Sequence, residues 1–194
     1  MKHLNTYITE YIIKKKLDKP INSEDHYEYY PKTKDELIYN IKNLIKQDIY
    51  DFNCIDTSEI TDMSNLFSDS YIDGNTERII IKDMNINISN WNVSNVTNMS
   101  YMFDNCTDFE GKWLDKWSLD NAEHMSNMFE YCENFDCDVS NWKMSKAKTI
   151  NYMFSECTNF KGKGLNKWTL PPKTEINNAL KNCNINKLPS WYKT

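Results

Sequence analysis

The sequence predicts an α+β repeat solenoid, a short coil of about five rungs of 25–26 residues behind a helical N-terminal cap. Two observations carry this prediction: a tryptophan–cysteine repeat, and amphipathic helical patterns ahead of it. Trp91, Trp117, Trp142 and Trp168 are 26, 25 and 26 residues apart, and a cysteine follows each of them after 15 residues. A fixed period of roughly 20–50 residues is typical of proteins whose repeats bury their apolar sides only by stacking.

Apolar residues recur at fixed distances from each tryptophan. They stand 3 residues before it and 2, 5, 8, 11, 12 and 15 residues after it. These distances fit neither a sustained helix nor a long strand. They predict short extended pieces separated by corners, at which Asn, Ser, Thr and Asp satisfy backbone groups. The last rung is predicted to be degenerate, because Leu180 replaces the phenylalanine of the earlier rungs.

The repeat also extends backwards to a first rung. Met63 and Phe67 lie 36 residues before Met99 and Phe103, which is one period plus ten residues. The additional residues are predicted to form an insertion within residues 71–83.

The first fifty residues carry two amphipathic helical patterns. The first ends near Leu17, and the second follows a capping box formed by Thr33 and Glu36. The second helix is expected to cover the apolar end of the first rung, while the first helix either docks on the second or engages a partner. The chain is therefore divided into a helical cap at residues 1–50 and a repeat domain at residues 51–194.

Two segments of the repeat resemble a known family. Residues 88–103 and 139–142 are similar to the BspA-like leucine-rich repeats of bacterial and mycoplasmal surface proteins. The resemblance covers Asp51 to about Cys183 and implies a right-handed, leucine-rich-repeat-like solenoid with structural Trp, Met-Phe and Cys positions. The head, at residues 30–37 and 55–63, resembles BspA-like proteins carried by tailed phages of gut bacteria.

Composition argues against several classes of partner. The net charge is −5, and Arg78 is the one arginine beside 22 lysines. A nucleic-acid groove normally shows a basic face that uses arginine, so no nucleic-acid partner is expected. No apolar run of membrane length and no signal-like apolar segment occurs, which predicts no membrane span. The expected location is the cytoplasm of the producing cell, or a virion.

No pattern of residues indicates catalysis, a cofactor or a metal. The register cysteines lack the short spacing of zinc sites, and parallel side chains disfavour disulfides, so reduced buried thiols are expected. His3, His26 and His124 are scattered, and four glycines provide no phosphate-binding loop. The chain is therefore expected not to be an enzyme.

Aromatic residues that the repeat does not require are candidates for partner binding. Trp113 stands at a position that the other rungs fill with Asn, Asp and Gly. Tyr101 and Tyr152 share a column with Asn65 and Asn127. The four register tryptophans are expected to lie in the core, rather than to form a sugar-stacking surface.

The insertion supplies two further candidates, Asn75 and Arg78. Insertions in repeat proteins often touch ligands, but this one could equally form a small hairpin that covers the side of the coil. The sequence leaves both alternatives open.

The expected function is a non-enzymatic protein-binding module, encoded by a phage or bacterium and directed at a host. The alternative is a structural or packaged component of a virion. A carbohydrate-binding adhesin is a third option, based on the aromatic residues alone.

Overall fold

The described part of the chain contains one α-helix and no β-strand. A computed structural model describes residues 27–69, 79, 81 and 85–192. Helix α1 spans Lys34–Ile45, and two short 3-10 turns span Leu114–Lys116 and Leu165–Lys167.

The predicted α+β repeat solenoid of right-handed, leucine-rich-repeat-like type is wrong. Across the described ranges no strand forms and no sheet is built. Neighbouring rungs meet instead at isolated parallel bridges, such as those of His124 with Asn98 and with Thr149. The 25–26-residue period is present in the structure, where each period forms one turn of a stack.

The turns are joined by a row of backbone hydrogen bonds in which each rung donates to the next, while some bonds outside the row run the other way, such as that from the His124 N–H to the Thr97 carbonyl at 3.1 Å. Rungs two to five are those of Trp91, Trp117, Trp142 and Trp168. In rung two the N–H groups of four alternate residues donate to four carbonyls of rung three: Met99 to His124, Tyr101 to Ser126, Phe103 to Met128 and Asn105 to Glu130. The equivalent positions of rungs one, three and four donate in the same way, giving sixteen such bonds of 2.8–3.0 Å. A β-strand edge alternates donors and acceptors, so the row does not continue as a β-ladder beyond the isolated bridge of Asn98 with His124.

Left-handed backbone conformations accompany this row. In each of rungs two to four, two of the four donor positions have φ between 57° and 64°, as at Asn105 and Asn127, and in rung one Asn65 has φ of 55°. Alternating right- and left-handed residues turn successive N–H groups toward one side. Asn tolerates the left-handed region better than most residues, which explains the asparagines in these columns.

Helix α1 begins where the sequence predicts it. The Thr33 hydroxyl accepts a hydrogen bond from the N–H of Glu36 at 3.2 Å, and the Glu36 carboxylate accepts one from the N–H of Lys32 at 2.6 Å. The helix buries Leu37 and Ile41 completely. Lys34 Nζ donates to Ser64 Oγ of rung one at 2.8 Å, which ties the helix to the stack. The first predicted helix lies outside the described residues, and the division at residue 50 stays a prediction.

Aromatic columns fill the interior. The rings of Phe103, Phe129 and Phe154 are stacked in turn, with centroids 5.5 Å apart at both steps and interplanar angles of 6° and 7°. The register tryptophans are buried, and the indole N–H of Trp142 donates to the carbonyl of Leu114 at 2.7 Å. The predicted core position of the tryptophan column is confirmed.

The tryptophan column continues to Trp191, which the sequence analysis missed. Its ring stacks on Trp168 with centroids 5.7 Å apart, and its N–H donates to the carbonyl of Leu165 at 2.9 Å. The equivalent bond of Trp168 runs to Val139. Trp117 departs from the pattern, because its buried N–H has no hydrogen-bond partner within the described residues.

The register cysteines are free thiols, as predicted. Each donates to the carbonyl of the phenylalanine in the preceding rung: Cys106 to Phe67, Cys132 to Phe103, Cys157 to Phe129 and Cys183 to Phe154, at 3.0–3.1 Å. The column therefore needs a small side chain that can also donate a hydrogen bond. Burial raises the pKa of the Cys132 and Cys157 thiols well above the ordinary value, and that of Cys137 and Cys183 to about 12.

These raised pKa values predict a loss of stability at alkaline pH. The folded chain keeps thiol protons that the unfolded chain releases above about pH 8.5. The thiol contribution to the free energy of unfolding is therefore complete below about pH 8.5 and falls as the pH rises toward the folded-state pKa values. Each thiol can lower the free energy of unfolding by up to about 1.4 kcal/mol for each pH unit of this rise.

Urea unfolding under reducing conditions, from about pH 7.5 to about pH 10.5, measures this effect, because the range spans the ordinary pKa of a thiol. The double variant Cys132→Ser, Cys157→Ser keeps two small hydroxyl donors in the column, and its stability should fall less steeply with pH. Parallel curves for the two proteins would show that buried thiols do not cause the alkaline loss.

Candidate partner-binding surface

Tyr101 and Tyr152 lie on the same face of the stack, two rungs apart. Each occupies the first left-handed donor position of its rung, with φ of 60° and 57°. Asn127 stands between them, since the N–H of Tyr101 donates to Ser126 and the N–H of Asn127 donates to Asn151. At the ordinary strand spacing, two steps put the two tyrosines about 10 Å apart. Their side chains are 38% and 36% exposed.

Tyr131 is a third exposed tyrosine at a left-handed position of the stack, and the sequence analysis missed it. It occupies the second left-handed position of rung three, with φ of 58°, and it is 47% exposed. The equivalent residues of rungs two, four and five are Asn105, Glu156 and Asn182. Comparison of this column in the sequence could have found Tyr131, because the repeat does not require an aromatic residue there.

The three tyrosines, here called the tyrosine face, combine exposed rings with unsatisfied hydroxyls. Within the described residues the hydroxyls of Tyr101, Tyr131 and Tyr152 have no hydrogen-bond partner. Between the rings, the Asn127 amide donates to the Glu130 carboxylate. A partner can therefore contact three apolar ring surfaces while forming hydrogen bonds at their outer ends.

The backbone makes these tyrosines unfavourable choices for folding alone. A residue with a Cβ and without a short polar side chain loses about 1 kcal/mol in the left-handed region. The repeat avoids most of this loss elsewhere by placing Asn65, Asn127 and Asn178 in the first column. Strained residues persist where the surrounding structure holds them and often mark functional sites.

Trp113 is exposed but stands apart from the tyrosine face. It is 44% exposed, has φ of 75° and precedes the 3-10 turn Leu114–Lys116. Lys116 Nζ lies 5.8 Å from the ring centroid, within range of a cation–π contact. Among the described residues no ring contact joins Trp113 to a tyrosine of the face. Gly164 holds the equivalent left-handed position two rungs later.

Most of the predicted insertion lies outside the described residues. Asn75 and Arg78 lie outside the described residues, as do His3 and His26. Of the insertion, Ile79 is buried at 4% exposure and packs in the core cluster, and Ile81 packs against it. This anchors the end of the insertion to the stack, but the choice between a ligand-binding loop and a covering hairpin stays open.

Metal ligands in a cluster and helices of membrane length are both absent from the described residues. Residues 27–69, 79, 81 and 85–192 contain no group of three or more His, Cys, Asp or Glu side chains placed to hold a metal ion. His124 is exposed on the surface of rung three. The helical part of the described chain offers no segment of the length and apolar character needed to cross a membrane.

Comparison with protein families gives one match. A family model described as "Mycoplasma protein of unknown function, DUF285" matches residues 74–191, which is more than half of the chain. Searches of curated proteins and of solved structures find no match.

The left-handed positions predict that asparagine can replace the tyrosines with little loss of stability. In Tyr101→Asn, Tyr131→Asn and Tyr152→Asn, relief of about 1 kcal/mol of backbone strain offsets the lost contacts of a ring that is already more than one-third exposed. Each free energy of unfolding should stay within about 1 kcal/mol of the parent value. The core variant Phe129→Ala is the control and should lose about 3–5 kcal/mol. Urea unfolding measures both, and a loss at the tyrosines as large as at Phe129 would show that they serve the fold.

Proposed function

We propose that this chain, which belongs to the DUF285 family of mycoplasma proteins, is a non-enzymatic protein-binding module. The observation that carries the proposal is the tyrosine face. Tyr101, Tyr131 and Tyr152 are exposed and left-handed at positions where the repeat elsewhere accepts asparagine. A surface of rigid aromatic side chains with free hydroxyls suits a protein partner, because Tyr contributes contact area at low cost in conformational entropy.

The sequence resemblance supports the direction of this binding. Residues 88–103 and 139–142 are similar to BspA-like leucine-rich repeats of bacterial surface proteins, and the head resembles BspA-like proteins of tailed phages. The proposed module is therefore phage- or bacterium-encoded and acts on a host protein. It resides in the cytoplasm of the producing cell or is associated with a virion.

The test requires variants that keep the fold but remove the face. The triple variant Tyr101→Asn, Tyr131→Asn, Tyr152→Asn does so, and Trp113→Asn is the matched control because it removes an exposed aromatic residue from another left-handed position. Each protein is immobilised and exposed to host-cell extract. Proteins retained by the parent and by Trp113→Asn, but lost with the triple variant, are then purified for measurement of Kd.

The proposal predicts that the triple variant weakens Kd by at least about 30-fold, as the loss of one binding hot spot would. Equal retention by all three proteins would contradict a role for the tyrosine face. If the retained proteins were lost only with Trp113→Asn, the binding surface would lie at Trp113.

Two further assays separate the other functions. Saturable binding of a glycan, without retention of any protein, would favour a carbohydrate-binding adhesin, since exposed tyrosines can also stack on sugars. A fixed number of copies per purified virion would favour a structural or packaged virion component. Either result would contradict a host-directed protein-binding module.

A further inference from the structure

Rung five carries four backbone N–H groups that have no acceptor among the described residues. The N–H groups of Ile176, Asn178, Leu180 and Asn182 occupy the positions that donate to the next rung throughout the stack. Their counterparts in rung four donate to rung five, as Tyr152 does to Asn177 at 2.8 Å. Within the described residues none of the four N–H groups has a hydrogen-bond partner.

The segment after rung five covers only part of this end. Trp191 extends the tryptophan column, and Leu180 is buried at 4% exposure. Beside the row of donors, however, Ile176 and Cys183 are only partly buried, and Leu188 is 43% exposed. The end therefore offers a row of donors flanked by apolar side chains. Each earlier rung packs against the next rung through the equivalent surface.

The opposite end of the stack is closed. Helix α1 packs Leu37, Ile41 and Leu44 into the core next to rung one, and Lys34 bonds to Ser64 there. A second copy therefore cannot add its first rung to the last rung without displacing α1. Two last rungs cannot pair with each other through this row either, because both would present donors.

A regular β-strand is also a poor partner for this row. Its edge alternates N–H and C=O groups, so that some of its donors would face the donors of rung five. The row requires a segment that presents carbonyl or carboxylate oxygens alone. In the stack, the segment that meets this requirement is another turn of the rung type.

Charge further defines the partner. Residues 150–192 carry six lysines and two acids, whereas residues 51–149 carry 18 acids and seven basic residues. Earlier acids pair with lysines of the following rung, as Asp138 does with Lys163 at 2.8 Å. At the open end, Lys173 and Lys187 are exposed and form no ion pair with any described residue. The end is therefore cationic as well as rich in donors.

We infer that the open end of rung five binds an acidic segment of a partner protein, which adds to the stack as a further turn. The four N–H groups bind its backbone carbonyls, and Lys173 and Lys187 attract its carboxylates. This site is separate from the tyrosine face, and neither depends on the other.

A peptide of residues 118–138 is a suitable probe. This part of rung three contains six acids and no lysine, and in the stack its carbonyls accept the four bonds from rung two. Cys132→Ser and Cys137→Ser prevent its oxidation. A second peptide, with every acid replaced by its amide, keeps the backbone and removes the charge.

Amide hydrogen exchange of the intact chain, followed by NMR, gives the readout. In the free protein the amides of Ile176, Asn178, Leu180 and Asn182 should exchange much faster than that of Tyr152, which is bonded. The acidic peptide should slow these four amides at least about tenfold at saturation and leave Tyr152 unchanged. The neutral peptide should bind more weakly.

Protein variants test the charge. Lys173→Gln combined with Lys187→Gln should weaken binding of the acidic peptide about threefold to tenfold, as expected for exposed charges. The matched pair Lys112→Gln and Lys143→Gln, away from rung five, should have no effect.

Four results would overturn the inference. The acidic peptide could fail to slow the four amides, or inorganic phosphate alone could slow them equally, which would indicate a simple anion site. The four amides could already be protected in the dilute free protein, which would show that the chain itself covers its end. Protection that grows with protein concentration without peptide would assign the end to a second copy.

Discussion

Each of the first four rungs donates a row of four backbone N–H groups to the carbonyls of the next rung, and the rest of the stack depends on this constraint: within the row, no bond runs the other way. Extended strands cannot satisfy it, because their donors alternate between two edges. The chain meets it with left-handed residues such as Asn65 and Asn127, which turn successive N–H groups to one side. The asparagine-rich columns are therefore a requirement of the backbone, and a tyrosine in such a column needs another explanation.

The side-chain columns also fit this backbone. The carbonyl of Phe103 lies outside the one-way row and accepts the thiol of Cys132 at 3.0 Å. The carbonyl of Leu114 accepts the indole of Trp142. These bonds cross from one rung to the next, so cysteine and tryptophan recur with the period of the stack. Because the row has a direction, the two ends differ: α1 packs beside the first rung, and the donors of rung five have no acceptor among the described residues.

The sequence predicted which residues share columns, but not the backbone that joins them. The spacing of Trp91 and Cys106 identified buried columns, and Thr33 with Glu36 identified the start of α1. Apolar spacing does not distinguish an extended residue from a left-handed one, and the strands were therefore predicted wrongly. Trp191 was missed because it follows Trp168 after 23 residues instead of 25 or 26.

Scalar couplings across hydrogen bonds test the one-way row most directly, since they report each donor and acceptor pair in solution. The structure predicts couplings from the amide nitrogens of Tyr101 and Phe103 to the carbonyl carbons of Ser126 and Met128, at bonds of 2.9 Å. No coupling should join the amide nitrogens of residues 126–130 to the carbonyl carbons of residues 99–105. Couplings that alternate in direction along residues 99–105 would show an ordinary parallel strand pair and would contradict this account of the fold.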